Sequence, residues 1–256
     1  MSRQTPGIAA VPPRPVAIVI VAALLACAAA AWALTIRQSS SMAMGFGGIA
    51  MLGAGLFIIT WLVMMVAMMF PAVAPMVLAH ASVVRSRGEG ATPTAAFVAG
   101  YLLVWTAAGL VPLAAILLLT SSLAMPVTGW LPRLGGAVIL LAGVYQLSPL
   151  KNVCLRACRS PLGFLLTHDF GRGPAGAVRA GMSHGLYCLG CCWALMAVLA
   201  VLGLMNVIWM AAFAAVFFIE KNVRFGPRLA QVVGIACIVG GLVVIVSPSL
   251  LPGSGM

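Results

Sequence analysis

Five of the seven cysteines fall close together in the chain, and their thiols are the strongest candidates for chemistry. They form a Cys-x-x-x-Cys pair and a later Cys-x-x-Cys-Cys segment: Cys154, Cys158, Cys188, Cys191 and Cys192. In a reducing compartment, clustered thiols are more often metal ligands or redox catalysts than structural disulfides. The spacing therefore favours one shared sulfur-rich site. The isolated Cys27 and Cys237 are expected to pack as small apolar side chains.

Helical geometry would place these thiols on common faces. The first two are four residues apart and would stack on one side of a helical turn. His184 and the three later cysteines fall within an arc of about 100° on a helix. Basic residues beside the first pair favour the thiolate, which is the form that binds metal or attacks a disulfide. The predicted metal ligands are Cys154, Cys158, His184, Cys188, Cys191 and Cys192.

Methionines add a second set of sulfur ligands. Within one apolar segment they share a helical stripe that ends in a histidine: Met65, Met69, Met76 and His80. Met42 and Met44 form a Met-x-Met motif before that segment, in a loop expected to be external. Thioethers bind Cu(I) and few other ions at useful strength, so these residues could line a copper pathway. Ordinary packing of flexible side chains is the alternative interpretation.

The composition indicates that lipid surrounds these residues. Of 256 residues, 63% are hydrophobic and 7% are charged, whereas soluble domains carry about a quarter charged residues. The 14 Lys and Arg residues lie at the ends of apolar segments, which indicates membrane topology and not nucleic-acid binding. Only Glu89, Asp169 and Glu220 are acidic, which argues against catalysis by paired carboxylates, and no nucleotide-binding glycine motif is present.

The apolar runs predict an all-α, polytopic bundle of about seven transmembrane helices in a single membrane domain, residues 1–256. The predicted helices cover residues 16–34, 56–83, 94–119, 134–147, 185–202, 206–219 and 229–246. A short tail, 1–15, precedes them, and a cysteine-containing loop, 148–184, separates the fourth helix from the fifth. Pro71 and Pro75 are expected to kink the second helix, because each lacks an N–H group.

The basic residues predict how the bundle is oriented. Arg3 and Arg14 precede the first helix, and most other basic residues fall in loops that would share their side. The positive-inside rule then predicts a cytoplasmic N-terminus, a cytoplasmic 148–184 loop and a multi-pass protein of the bacterial inner membrane. The first apolar segment could instead be a signal peptide, although it is longer than the usual signal core. Glu220 and Lys221 are expected to form an interfacial ion pair, with Lys221 reaching water.

Four segments carry a resemblance to a known family. They are 61–71 with its paired methionines, 145–161 with Cys-x-x-x-Cys, 181–193 with Cys-x-x-Cys-Cys, and 203–210 leading to Glu220-Lys221. In these segments the chain resembles a bacterial family of predicted metal-binding integral membrane proteins, a domain-of-unknown-function family. The resemblance implies metal binding by the cysteine-rich segments, and it implies no particular reaction.

Three hypotheses about function remain open at this point. In the first, the protein is a membrane protein that handles Cu(I), either by transport or by delivery to a copper enzyme or metallochaperone. Zinc is the alternative metal, because thiolates and imidazole also bind it. In the second, the protein is a membrane thiol-disulfide oxidoreductase with Cys154/Cys158 and Cys188/Cys191 as exchanging pairs. In the third, it is a structural or assembly subunit without metal. Methionines toward the outside and thiols toward the inside favour the first, in which the chain is not an enzyme.

Overall fold

Nine α-helices form the part of the chain that the computed structural model describes, residues 14–41, 53–122, 131–167, 171–203 and 206–247, and no strand occurs in these ranges. In chain order they are α1 (Arg14–Ser41), α2 (Ala54–Ser86), α3 (Thr92–Ser122), α4 (Leu131–Gln146), α5 (Pro149–Arg159), α6 (Pro161–Thr167), α7 (Gly173–Leu202), α8 (Val207–Asn222) and α9 (Gly226–Val246). The all-α prediction is confirmed. Met42 and Met44 lie outside the described residues, as do residues 1–13 of the predicted N-terminal tail.

Five of these helices are long and apolar enough to cross a membrane: α1, α2, α3, α7 and α9. Helices α4 and α5 could together make a sixth span, but they meet at a bend of 64°. Helix α8 has 16 residues and a length of about 24 Å, less than the roughly 30 Å of a bilayer core. By length and composition, the described helices are compatible with a multi-pass membrane protein of five or six spans. The count of seven and the cytoplasmic N-terminus stay predictions.

Helix α2 contacts α1, α3, α6 and α8 and carries the methionine stripe. It continues through Pro71 and Pro75, although Pro71 has no N–H to donate to the carbonyl of Ala67 one turn earlier. The indole of Trp32 on α1 donates to that oxygen instead, at 3.0 Å. In lipid an unsatisfied backbone carbonyl is costly, so this hydrogen bond from a neighbouring helix helps the proline to be tolerated.

Glycines set the close packing of α7 against α3. Gly181 lies against the backbone carbonyl of Phe97, and Gly100 lies against that of Val178, so a Cβ atom at either glycine would overlap the neighbouring backbone. Small residues let membrane helices approach closely enough for dispersion forces to hold them together. The same contact positions His184 and the three cysteines of α7 relative to α3.

The segment predicted as a loop at 148–184 differs in the structure, where most of it is helical. Ser148 caps α5 by accepting a hydrogen bond from the Lys151 N–H at 3.2 Å, and Pro149 occupies the first turn. Helix α6 follows directly, and α7 begins at Gly173, well before the predicted start at 185. The basic residues of α5 and the glycines of early α7 interrupt the apolar pattern, which is why the sequence indicated a loop.

A break after α7 was predicted and is confirmed. Gly203 ends α7 with a φ of 109°, a conformation that residues with a side chain rarely adopt. The Asn206 side chain then caps α8 by accepting hydrogen bonds from the N–H groups of Ile208 and Trp209, at 3.1 and 3.2 Å. The long apolar stretch is therefore two helices, α7 and α8, which contact each other.

Candidate metal centre

Four of the five clustered cysteines meet where α5 packs against α7. Cys158 of α5 has its Sγ 3.8 Å from the Sγ of Cys191, although 33 residues separate them. The Cys191 sulfur also lies 3.5 Å from that of Cys192 and 3.1 Å from the carbonyl oxygen of Cys188. All four side chains are buried. Cys191 is thus the centre of the group, which we call the thiol cluster: Cys158, Cys188, Cys191 and Cys192.

Cys154 does not join the thiol cluster through any sulfur–sulfur hydrogen bond among the described residues. It lies one turn before Cys158 on α5, as the i, i+4 spacing predicted, but it is only partly buried. Its sulfur faces the backbone of α7 at Gly190, where an added Cβ atom would lie 2.7 Å from the Cys154 Sγ. The sequence grouped five cysteines, and the structure brings four of them into contact.

Lys221 points into the thiol cluster, which contradicts the expectation that it would reach water. Its Nζ lies 3.0 Å from the Sγ of Cys188 and 3.8 Å from the Sδ of Met69, and the residue is only 6% exposed. The expected ion pair with Glu220 is also wrong, because consecutive residues on a helix point in different directions. A buried ammonium needs a negative or strongly polarisable partner, and a Cys188 thiolate would supply the charge.

The carboxylate of Glu220 is committed elsewhere. Its Oε2 lies 2.8 Å from the Nζ of Lys151 on α5, and its Oε1 accepts a hydrogen bond from the Gln146 amide at 2.6 Å. Arg159 donates from Nη1 to two backbone oxygens of the same region, those of Glu220 and Val223. These bonds tie α5 to the end of α8, so the helix that carries Cys158 and the helix that carries Lys221 are fixed to each other.

His184 lies beside the thiol cluster with one ring nitrogen available. The residue is 2% exposed, and its Nδ1 has no hydrogen-bond partner among the described residues. Its ring packs near Tyr101, at 6.1 Å between centroids, and Phe164, at 5.5 Å. Together with Cys158, Cys188, Lys221 and Met76 it lines a cavity of about 220 Å³. An orphaned imidazole nitrogen beside buried thiols is the kind of group that a soft metal ion would satisfy.

The methionine stripe approaches the thiol cluster at two points. Met69 contacts Lys221, and Met76 lines the shared cavity. Met65 is buried on α2 one turn before Met69. His80 lies elsewhere: its ring stacks on Phe97 at 4.6 Å between centroids, and it lines a separate cavity of about 30 Å³. The stripe is therefore continuous with the thiol cluster through Met69 and Met76, and His80 is a separate feature.

Two residues of this region were missed as site residues at the sequence level. Lys221 was expected at the interface, and Tyr101, whose hydroxyl oxygen is 3.1 Å from the Cys188 Sγ, was not singled out. A lysine in an apolar helix is itself a signal, because a charge placed in lipid needs a specific partner. Tyr101 gave no such signal, since a tyrosine in a membrane helix is unremarkable.

The donor set suits a soft monovalent ion, although the sulfurs are not yet arranged around one point. Two sulfurs bound to one metal at about 2.3 Å would be roughly 3.8 Å apart at a tetrahedral angle, which the Cys158–Cys191 distance of 3.8 Å matches. However, the described residues contain no group of three or more His, Cys, Asp or Glu side chains whose present positions could hold a metal ion. The thiols contact one another, and the Lys221 ammonium lies against Cys188, so binding would require these groups to separate.

In the described residues, the fold and this site define an all-helical protein with several helices long and apolar enough to cross a membrane, and with a buried cluster of thiols next to a methionine-bearing helix. A sequence model of the family described as "PpoB2: Copper chaperone" matches residues 58–244, which is most of the chain. The chain belongs to this copper chaperone family. The matched range includes the methionine stripe, the thiol cluster and Lys221. No curated protein and no solved structure shows a significant match.

Proposed function

We propose that this protein carries Cu(I), and that the thiol cluster is where the ion is held. The observation that supports the proposal most directly is the position of Cys191, whose sulfur lies 3.8 Å from that of Cys158 and 3.5 Å from that of Cys192. Thiolates and thioethers prefer soft cuprous ions, and Met69 and Met76 lie next to the cluster. Membership of a copper chaperone family supports the same metal.

The arrangement favours delivery of the ion. On this proposal Cu(I) moves along the methionines of α2 to the thiols and is then passed to a copper enzyme or to a soluble metallochaperone. The protein makes and breaks only metal–ligand bonds, so it is a carrier and not an enzyme. The proposal places it in the bacterial inner membrane with a cytoplasmic N-terminus, because most basic residues fall on one side of the predicted topology.

The test is the metal content of protein purified without oxygen. Wild type in detergent would be loaded with Cu(I) or Zn(II), freed of excess metal and analysed by elemental mass spectrometry. The test variant changes the thiol cluster to serine, and the matched control changes Cys27 and Cys237, which lie on α1 and α9 and not on the helices of the cluster, to serine. About one copper per chain in the wild type and the control, and none in the cluster variant, is the expected result. Equal copper in all three would overturn the proposal.

A thiol-disulfide oxidoreductase is the second candidate, and one observation favours it. The Cys158 and Cys191 sulfurs are 3.8 Å apart, so a modest movement would bring them to the roughly 2.05 Å of a disulfide. Mass spectrometry of the protein after mild oxidation, with and without alkylation, would reveal that bond. A reversible Cys158–Cys191 disulfide together with no bound copper would support the oxidoreductase over the carrier. Neither metal nor disulfide would leave a structural or assembly role.

A further inference from the structure

Lys221 places its side-chain ammonium group among the residues of the proposed copper site. Its ammonium lies 3.0 Å from the Cys188 Sγ, 3.8 Å from the Met69 Sδ and 5.9 Å from the centre of the Phe217 ring. Among the described residues the one salt bridge joins Lys151 to Glu220, so Lys221 has no carboxylate within ion-pair distance. A thiol, a thioether and an aromatic face are its closest partners.

The ammonium and a cuprous ion are alike in charge. Burying an uncompensated charge away from water is strongly unfavourable. If a Cu(I) ion took the place of the ammonium, the charge next to Cys188 would not change. A divalent ion at the same place would add one positive charge to a buried site that has no free carboxylate among the residues that the structure describes. The site therefore favours exchange of one monovalent cation for another.

We propose that Lys221 is a tethered cation that occupies the junction between Met69 and Cys188 and is exchanged there for the incoming Cu(I) ion. This inference rests on the proposed function and adds how loading and release of the site are controlled. The cavity of about 220 Å³ beside Lys221, lined by Cys158 and His184 and also by the exposed Asn222, gives the displaced ammonium room to move away from Cys188 toward the surface. Return of the ammonium to Cys188 then helps the ion to leave.

The exchange sets how tightly copper is held. A carrier must release its cargo, and affinity among related sites is controlled mainly by the dissociation rate. A cation that competes for the same sulfurs weakens binding without removing a ligand. It also prevents the empty thiol cluster from attracting divalent ions. Lys221 is thus a residue that determines specificity and release.

The first test uses the fact that the chain contains only two lysines, Lys151 and Lys221. Detergent-solubilised wild type would be treated with a small amine-reactive acetyl ester, with and without one equivalent of Cu(I), and acetylation measured by mass spectrometry. We expect Lys221 to be protected without copper and acetylated with it. Lys151, buried in its ion pair with Glu220, should stay protected in both and serves as the internal control. Equal acetylation of Lys221 with and without Cu(I) would overturn the exchange.

The second test measures affinity in Lys221→Met, which removes the charge at similar length, and in Arg224→Met, which removes an exposed charge near the same end of α8. Competition with a coloured Cu(I) chelator should show about tenfold tighter binding and slower release for Lys221→Met, and wild-type behaviour for Arg224→Met. Unchanged or weaker binding in Lys221→Met, with wild type still binding copper, rejects the exchange alone. Absence of copper binding in the wild type rejects the carrier function as well.

Discussion

Lys151 and Glu220 form a buried ion pair, with 2.8 Å between Nζ and Oε2, that joins α5 to α8. The two side chains are 0% and 1% exposed, and Gln146 completes the hydrogen bonding of the carboxylate. Helix α5 carries Cys158, and α8 carries Lys221. The position of Cys158 relative to Lys221 therefore depends on a contact in which no sulfur takes part.

Lys151→Met should destabilise the fold strongly. It would leave the Glu220 carboxylate buried without its partner, and breaking a buried pair in this way costs about 3–5 kcal/mol. The free energy of unfolding in a detergent–denaturant titration, followed by helical circular dichroism, would measure the loss. The double variant Lys151→Met with Glu220→Gln should regain much of it, because no unpaired charge remains. If Lys151→Met alone is as stable as the wild type, the ion pair does not contribute to the stability of the fold.

Cys191→Ser should weaken Cu(I) binding by about 100-fold or more, because changes even outside the ligand shell of a metal cost 10–100-fold. Cys191 contacts both Cys158 and Cys192, so its removal divides the cluster. Cys154→Ser is the matched control, because it removes another of the five clustered cysteines. This variant should bind Cu(I) nearly as tightly as the wild type, since Cys154 lies against Gly190 and outside the thiol cluster. Competition with a Cu(I) chelator measures both. Equal losses would mean that the site includes all five cysteines.

Met69→Leu should reduce Cu(I) affinity by about tenfold while leaving the fold intact. Leucine has nearly the volume of methionine, so packing is preserved, but the thioether next to Lys221 is lost. Met64→Leu is the control, because Met64 is buried on the same helix and is not among the residues that line the cavity beside Lys221. If the two variants bind copper equally well, the methionine stripe serves packing and not metal transfer.

Gly181→Ala should destabilise the protein by about 1–3 kcal/mol, the usual cost of inserting a methyl group into a tightly packed interface. The added Cβ atom would overlap the backbone of Phe97 and push α7 away from α3. Gly240→Ala is the matched control, since nothing lies within 4 Å of a Cβ atom there and alanine favours a helix. Unfolding in the same detergent–denaturant titration would compare them. Equal stability would show that α3 and α7 can separate without cost.

Much of the fold could be predicted because long apolar runs favour helices, in which the backbone satisfies its own hydrogen bonds. The long helices of the described residues and the break after Leu202 follow this pattern of apolar runs. The helices at 149–167 could not be predicted in this way, because α5 is short and rich in basic residues. Its helical form depends on the Ser148 cap and on the contacts of Lys151 and Arg159 with α8.

For the site, the sequence by itself determined the chemistry: which residues carry sulfur, which spacing brings thiols onto one face of α7, and that carboxylates are too few to compete as ligands. Only the tertiary structure decided which of these residues meet. Cys158 reaches Cys191 and Cys154 does not, and Lys221 turns inward to Cys188 while Glu220 pairs with Lys151. The reason is physical. The periodicity of the sequence determines which residues share one face of a helix. Contacts between helices depend on how the helices are rotated and separated, and these are set by close packing at glycines and by buried charge pairs that are distant in the sequence.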